Sequence, residues 1–198
     1  MFMRIISGIV LTGLFAIVLS SCGNDELTIP KPPTFLRTDL PEHVYYSFKD
    51  HRHFSCDFSK SYIVKPVLFG SVVTDHLEVN LGPLNGTLYV NYFPLANRDT
   101  LVRYINLSND KVDEHQMKAD RIIDKQIIDN KRKVYGTFFE FQGNVATNFQ
   151  FYLTDSVNHF VRGEVLMNCR PNYDSLRPSL DYLKQDLIKL FDSFEWKK

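Results

Sequence analysis

Along much of this sequence apolar side chains return at every second residue, and that period decides the fold class before composition is considered. Phe54, Cys56 and Phe58 alternate with Ser55, Asp57 and Ser59, and Leu77, Val79 and Leu81 repeat the pattern against His76, Glu78 and Asn80. Such alternation lines one face of a half-buried strand. Asn85-Gly86 then offers two neighbours that tolerate positive φ, so Leu77–Leu81 and Thr87–Phe93 are expected to form a hairpin across a tight turn. Further strands are expected at Ile122–Ile128 and Val134–Gln142, around the polar turn Asp129–Lys133. Asn144–Thr154 and His159–Cys169 complete a meander with turns at Gln142-Gly143-Asn144 and Asp155–Asn158.

The period changes in two places. Leu101, Ile105, Ser108, Val112 and Ala119 recur at helical spacings between Asn97 and Ala119, with Asn97 or Asp99 available as the N-cap. Leu180, Leu183, Leu187, Leu190, Phe191 and Phe194 form a second apolar stripe, opened by Asp174, Ser175 and Pro178. The pattern predicts an α+β domain, an antiparallel sheet covered by helices, whose order of elements looks like the PsbP-like α/β sandwich. With 198 residues, 44% hydrophobic, the chain can bury one real core, and disorder is excluded.

The N-terminus carries an address. Met1–Arg4 is a short charged segment, and Ile5–Leu19 is an apolar run shorter than the roughly 18 to 20 residues of a permanent membrane helix. It ends in Leu19-Ser20-Ser21-Cys22, which resembles a bacterial lipobox, with cleavage between Ser21 and Cys22 and acylation of the Cys22 thiol. Residues 1–21 are thus expected to be a signal peptide, 22–43 a lipidated Cys and a Pro-rich tether (Pro30, Pro32, Pro33, Pro41), and 44–198 one globular domain. Two or more acyl chains make such an anchor stable. Gly23 in place of Asp fits outer-membrane sorting, and Asp25 and Glu26 are an acidic pair beside the anchor.

Lys plus Arg equals Asp plus Glu at 23 each, which removes the electrostatic argument for nucleic acid as partner. The chain lacks Gly-x-Ser-x-Gly, His-Glu-x-x-His, a glycine-rich phosphate loop and Cys-x-x-Cys. His51 and His53 would share a strand face and could be joined by His76, but Cys56 would face the other way, so the metal reading is weaker than that of solvated or core-edge histidines. Cys169 and His159 end one expected strand about 33 Å apart at about 3.3 Å per residue, too far to act as a nucleophile and its base. An oxidising envelope permits a bridge between Cys56 and Cys169, the alternative being two buried thiols packed as small apolar groups. The load of 16 Phe and 10 Tyr makes core first and a ligand cavity between helix and sheet second. No cofactor and no small-molecule substrate are expected.

Several stretches together carry a resemblance. They are Pro30-Lys31-Pro32 with Arg37-x-Asp39-Leu40-Pro41; Val134-Tyr135-Gly136 with Glu140, Gly143 and Ala146; Gln150-Phe151-Tyr152-x-Thr154-Asp155-Ser156-x-x-His159-Phe160-x-Arg162-Gly163; and Pro171-Asn172-Tyr173-Asp174-Ser175 with Pro178, Tyr182-Leu183 and Asp186. In order and spacing they resemble the gliding-motility lipoprotein GldD family of Bacteroidota. Where that family has Cys-Pro-Tyr, this chain has Cys56-Asp57-Phe58. The resemblance implies a non-catalytic lipoprotein of the cell envelope, its domain in the periplasm, needed for gliding motility and associated with the type IX secretion machinery. Its expected partners are the membrane, through the lipid, and envelope proteins of that machinery, with Arg162 and Tyr173 as contact residues. Asp155-Ser156-Val157 also fits the Asp-Ser/Thr-apolar sequence that Bacteroidota O-glycosylate. Asp99-Thr100-Leu101 and Asp174-Ser175-Leu176 fit it too, but they equally read as helix starts.

Overall fold

The computed structural model describes residues 39–197. The signal peptide, Ser21, Cys22 and most of the expected tether lie outside the described residues. Ten strands and two helices follow in the order β1 (Tyr45–Phe48), β2 (Phe54–Ser59), β3 (Ile63–Phe69), β4 (Val72–Asn80), β5 (Gly86–Pro94), α1 (Arg98–Asp113), β6 (Arg121–Asp129), β7 (Val134–Gln142), β8 (Thr147–Thr154), β9 (His159–Met167), α2 (Tyr173–Ser193) and β10 (Glu195–Trp196). Seven strands form one antiparallel sheet in the order β3-β4-β5-β9-β8-β7-β6, and β1-β2-β10 form a second, small one. Both features of the expected class, the antiparallel sheet and its helical cover, are present.

Alternation sorts the large sheet into two faces. Phe138, Phe149, Phe151, Val161 and Val165 join one cluster with Leu176, Leu180, Leu183, Leu187, Leu190 and Phe191 of α2 and with Phe54, Cys56 and Phe58 of β2. Phe191 meets Phe138 and Phe151 with ring centroids 5.4 and 4.9 Å apart. The opposite face carries Phe139 and Phe141, which pack with Val112 and Val145 under the end of α1. The molecule is therefore layered: α1, the seven-stranded sheet, then α2 together with the small sheet. The α1 layer is thin, since only Ser108 and Val112 of that helix are buried. Buried Gln150 donates to the Ser108 carbonyl at 3.3 Å, which supplies the polar side of that contact.

Local chemistry places the ends of these elements. Asn97 caps α1 by accepting from the Thr100 N–H at 2.9 Å, as expected, but the helix stops at Asp113 and the chain runs on through turns to Ala119. Asn172, and not Asp174, caps α2, so Pro178 lies within the helix and removes one N–H from it. The β4–β5 hairpin forms without the expected two-residue turn. Gly82–Leu84 make one turn of 3-10 helix first, and the positive φ values fall at Gly82 (56°) and Asn85 (49°), not at Gly86. Three strands have no counterpart in the alternation, β1, β3 and the two-residue β10. Packing also begins upstream of Val44, because Leu40 lies against the core and His43 is tied to α2.

Gly163 shows how the sheet accommodates its aromatic load. It pairs with Phe151 across β8–β9, and a Cβ there would lie 2.1 Å from that ring. The missing side chain is the space the ring occupies.

Candidate functional site

His51 and His53 lie together, with ring centroids 5.7 Å apart, and His159, 5.9 Å from His53, joins them where His76 was weighed. His53 stacks on Tyr92 at 4.0 Å, the Tyr92 hydroxyl lies 2.8 Å from His159 Nδ1, and His159 stacks on Trp196 at 5.2 Å. His51 stacks on Phe54 at 3.9 Å and places Nε2 3.0 Å from the Asp75 carbonyl oxygen. Burial holds both His51 and His159 below the ordinary imidazole range. His76 stands apart, its Nδ1 accepting from the Tyr92 N–H at 3.2 Å. Among the described residues no three such side chains converge as metal ligands. The rings form a stacked column that joins the small sheet to β5 and β9.

Of the two alternatives weighed for Cys56 and Cys169, a bridge or two buried thiols, the structure has both thiols free, with Cys169 exposed and not buried. Cys56 is buried in the core on β2, opposite Phe48 of β1, with burial pushing its thiol pKa up, whereas Cys169 is exposed beyond the end of β9. Ser156 sits in the Asp155–Asn158 turn with φ 69° and is exposed. Asp155 holds that turn by accepting from the N–H groups of Val157, Asn158 and His159. The alternative Thr100 is engaged in the α1 cap. Arg162 is half-buried on β9, with its Nε lacking a hydrogen-bond partner among the described residues. Tyr173, half-buried at the start of α2, donates its N–H to Asn144 at 2.9 Å.

A polar site that the sequence reading did not single out lies on α2. Asp186 is 5% exposed, and its carboxylate accepts from the hydroxyls of Tyr45 (2.8 Å) and Tyr62, with His43 Nδ1 at 2.6 Å. The His43 ring stacks on Tyr182 at 4.0 Å. Burial and then the bond to Asp186 raise both phenol pKa values, so both hydroxyls stay protonated and donate. One carboxylate thereby fastens the chain ahead of β1 and the β2–β3 turn to the last helix. Its signal was a charge at 186 inside the buried 182, 183, 187, 190 spacing.

On the far side of α2 a groove of about 380 Å³ runs between that helix and the edge strand β6, lined by Ile123, Ile127, Phe138, Ile188 and Phe191. Glu140 and Lys184 pair at 2.5 Å across it. At its end Arg132 donates through Nη1 to the carbonyls of Phe191, Asp192 and Phe194 and through Nε to Asp129 at 2.8 Å. That guanidinium closes the C-terminus of α2, where carbonyls lack helical partners. The Arg132 backbone N–H, which donates to Asp129 at 2.8 Å, and then the guanidinium hold the Asp129 carboxyl below the usual range.

These features describe a three-layer α+β domain whose buried polar groups serve to fasten elements together. A structure of that class, the solution structure of cyanobacterial PsbP (CyanoP) from Synechocystis, is similar at 10% identity and a TM-score of 0.48, covering 84% of this chain and 100% of that one. No curated protein matches the sequence. Residues 25–196 match the family described as gliding motility lipoprotein GldD. The chain belongs to that family, and membership makes it a lipid-anchored envelope protein concerned with gliding. Among the described residues no helix is long and apolar enough to cross a membrane.

Proposed function

We propose that this chain is a non-catalytic component or assembly factor of the gliding and type IX secretion machinery. Processing between Ser21 and Cys22 leaves Cys22 acylated, and residues 22–43 hold the domain on the periplasmic side of the membrane that carries the lipid. The observation that carries this reading is the family match, which runs from three residues past Cys22 nearly to the C-terminus. The half-exposed Arg162 and Tyr173 are its contact residues, and the exposed Ser156 is its glycan acceptor. Deleting the gene tests the reading: loss of spreading together with loss of type IX secretion is expected, and retained motility with normal secretion overturns it. Crosslinking in living cells followed by identification of captured envelope proteins names the partners.

The groove beside β6 favours a second reading, a lipoprotein that binds a small apolar ligand between helix and sheet. Its volume falls at the small end of ligand sites. A rise in melting temperature with added lipids or glycans, lost on Ile188→Asp, is the result that would support it.

A further inference from the structure

The β3–β4 hairpin ends in a tip without charge. From Pro66 to Thr74 the sequence is Pro-Val-Leu-Phe-Gly-Ser-Val-Val-Thr, and its large apolar side chains are the reverse of buried: Leu68 is 61%, Phe69 82%, Val72 64% and Val73 52% exposed. The tip is well formed. Phe69 pairs with Val72 and Leu68 with Val73, Gly70 supplies the positive φ (63°) that the turn needs, and the Thr74 hydroxyl donates to the Val67 carbonyl at 2.7 Å.

What could cover these groups follows from where they point. Successive strand residues face opposite sides, so the Leu68–Val73 pair emerges on one face of the ribbon and the Phe69–Val72 pair on the other. A protein groove covers one face of a ribbon, whereas a bilayer surrounds it. Strand addition along the edge is blocked, because β3 carries Pro66, which has no N–H, a register shift between Pro66 and Leu68, and the exposed Lys65. The first charges behind the tip are Lys65 and Asp75. Lys65 stands about 10 Å back from Leu68 at about 3.3 Å per residue, a depth that suits the headgroup layer when apolar groups sit about 5–10 Å into the boundary.

We propose that the β3–β4 tip is a lipid-inserting finger, with Leu68, Phe69, Val72 and Val73 entering the bilayer surface. The proposal takes from the function reading above that a lipidated Cys22 keeps a membrane within reach. The chain from Cys22 to Asp39 spans at most about 60 Å when extended, so the domain could otherwise stand off or turn freely. Insertion of the finger supplies a second attachment and fixes which face of the domain looks away from the lipid.

The test uses the full lipidated chain in vesicles of phosphatidylethanolamine and phosphatidylglycerol. A polarity-sensitive fluorophore is attached at Ser71→Cys in a Cys169→Ser background, since Cys169 is the exposed thiol and Cys56 is buried. Insertion gives a blue-shifted emission that is quenched by acyl-chain-brominated lipid and protected from aqueous iodide, and Leu68→Ser with Phe69→Ser abolishes both effects. A tip label quenched by iodide and not by brominated lipid, on protein that floats with the vesicles, overturns the finger and leaves the anchor intact. The Cys22→Ser chain cannot be acylated at that position. Lipid quenching of its tip label at high vesicle concentration supports the finger even if the native protein proves to carry no acyl group, and its absence there tells against it. Photocrosslinking from position 69 in living cells gives lipid adducts if the finger inserts, and a discrete protein adduct in their place assigns the tip to a protein partner and overturns the proposal.

Discussion

His43 Nδ1 lies 2.6 Å from the Asp186 carboxylate, joining residues 143 apart in sequence at a site where the carboxylate is nearly sealed from water. Two tyrosine hydroxyls converge on the same group.

Asp186→Ala leaves those donors without an acceptor in a buried place, and the expected loss is about 2–4 kcal/mol of folding stability, measured by denaturant unfolding. Asp186→Asn keeps the acceptor and loses the charge, and the expected cost is smaller. Equal effects of the two variants would show that packing, and not hydrogen bonding, holds the site.

Arg132→Ala uncovers the last carbonyls of α2 and removes the Nε bond to Asp129, at an expected cost of about 1–2 kcal/mol. Arg132→Lys restores only part of it, because an ammonium cannot reproduce the planar fork. Hydrogen exchange at the C-terminal end of α2 should rise in both variants.

Gly163→Ala places a methyl where the Phe151 ring lies, and overpacking of that kind costs about 1–3 kcal/mol. Phe151→Leu clears the space, so the double variant should be more stable than the sum of the single losses. Strict additivity would refute the steric account.

Acid should weaken the ring column. With folded imidazole pKa values below the unfolded 6.5, the contributions of His51 and His159 are fully present above that pH and are lost as pH falls through the folded values. Asp75, His53 and Lys197 act on His51, and Asp155 and His53 act on His159. The unfolding midpoint is expected to fall as pH drops below about 6.5, with His159→Phe flattening that slope.

Thiol labelling separates the two cysteines. Cys169 should react with a maleimide in the native protein and Cys56 only after unfolding, with no change of mobility on reduction.

Where side chains alternate in face or recur at helical spacing, the sequence led to the element. Strand β7 falls at Val134–Gln142 as expected, and the α2 stripe packs where Leu180 to Phe191 should. Strand β3 escaped because Ile63–Phe69 is a nearly continuous apolar run containing Pro66, a residue admitted to a sheet only at an edge, and edge position is a tertiary fact. The hairpin after β4 turned earlier than Asn85-Gly86 because Gly82-Pro83 offered a competing bend. The ring column escaped too, because its contacts with Tyr92, Phe54 and Trp196 join rings from different elements, and no local pattern records which rings will meet. Asp186 showed locally only as a charge inside the apolar stripe, and its partners lay out of reach because they come from 124 to 143 residues away.

The Asp186 fastening has a mechanical consequence. Strand β1 holds to β2 by four residue pairs, and a pull from its free end would open an antiparallel pair one rung at a time. Tension arriving along the N-terminal chain meets Leu40 and then His43 before β1, and His43 passes it by its carboxylate contact and its stacking on Tyr182 to a 21-residue helix packed along the core. The load is thus spread over the body of the domain before the first rung is strained.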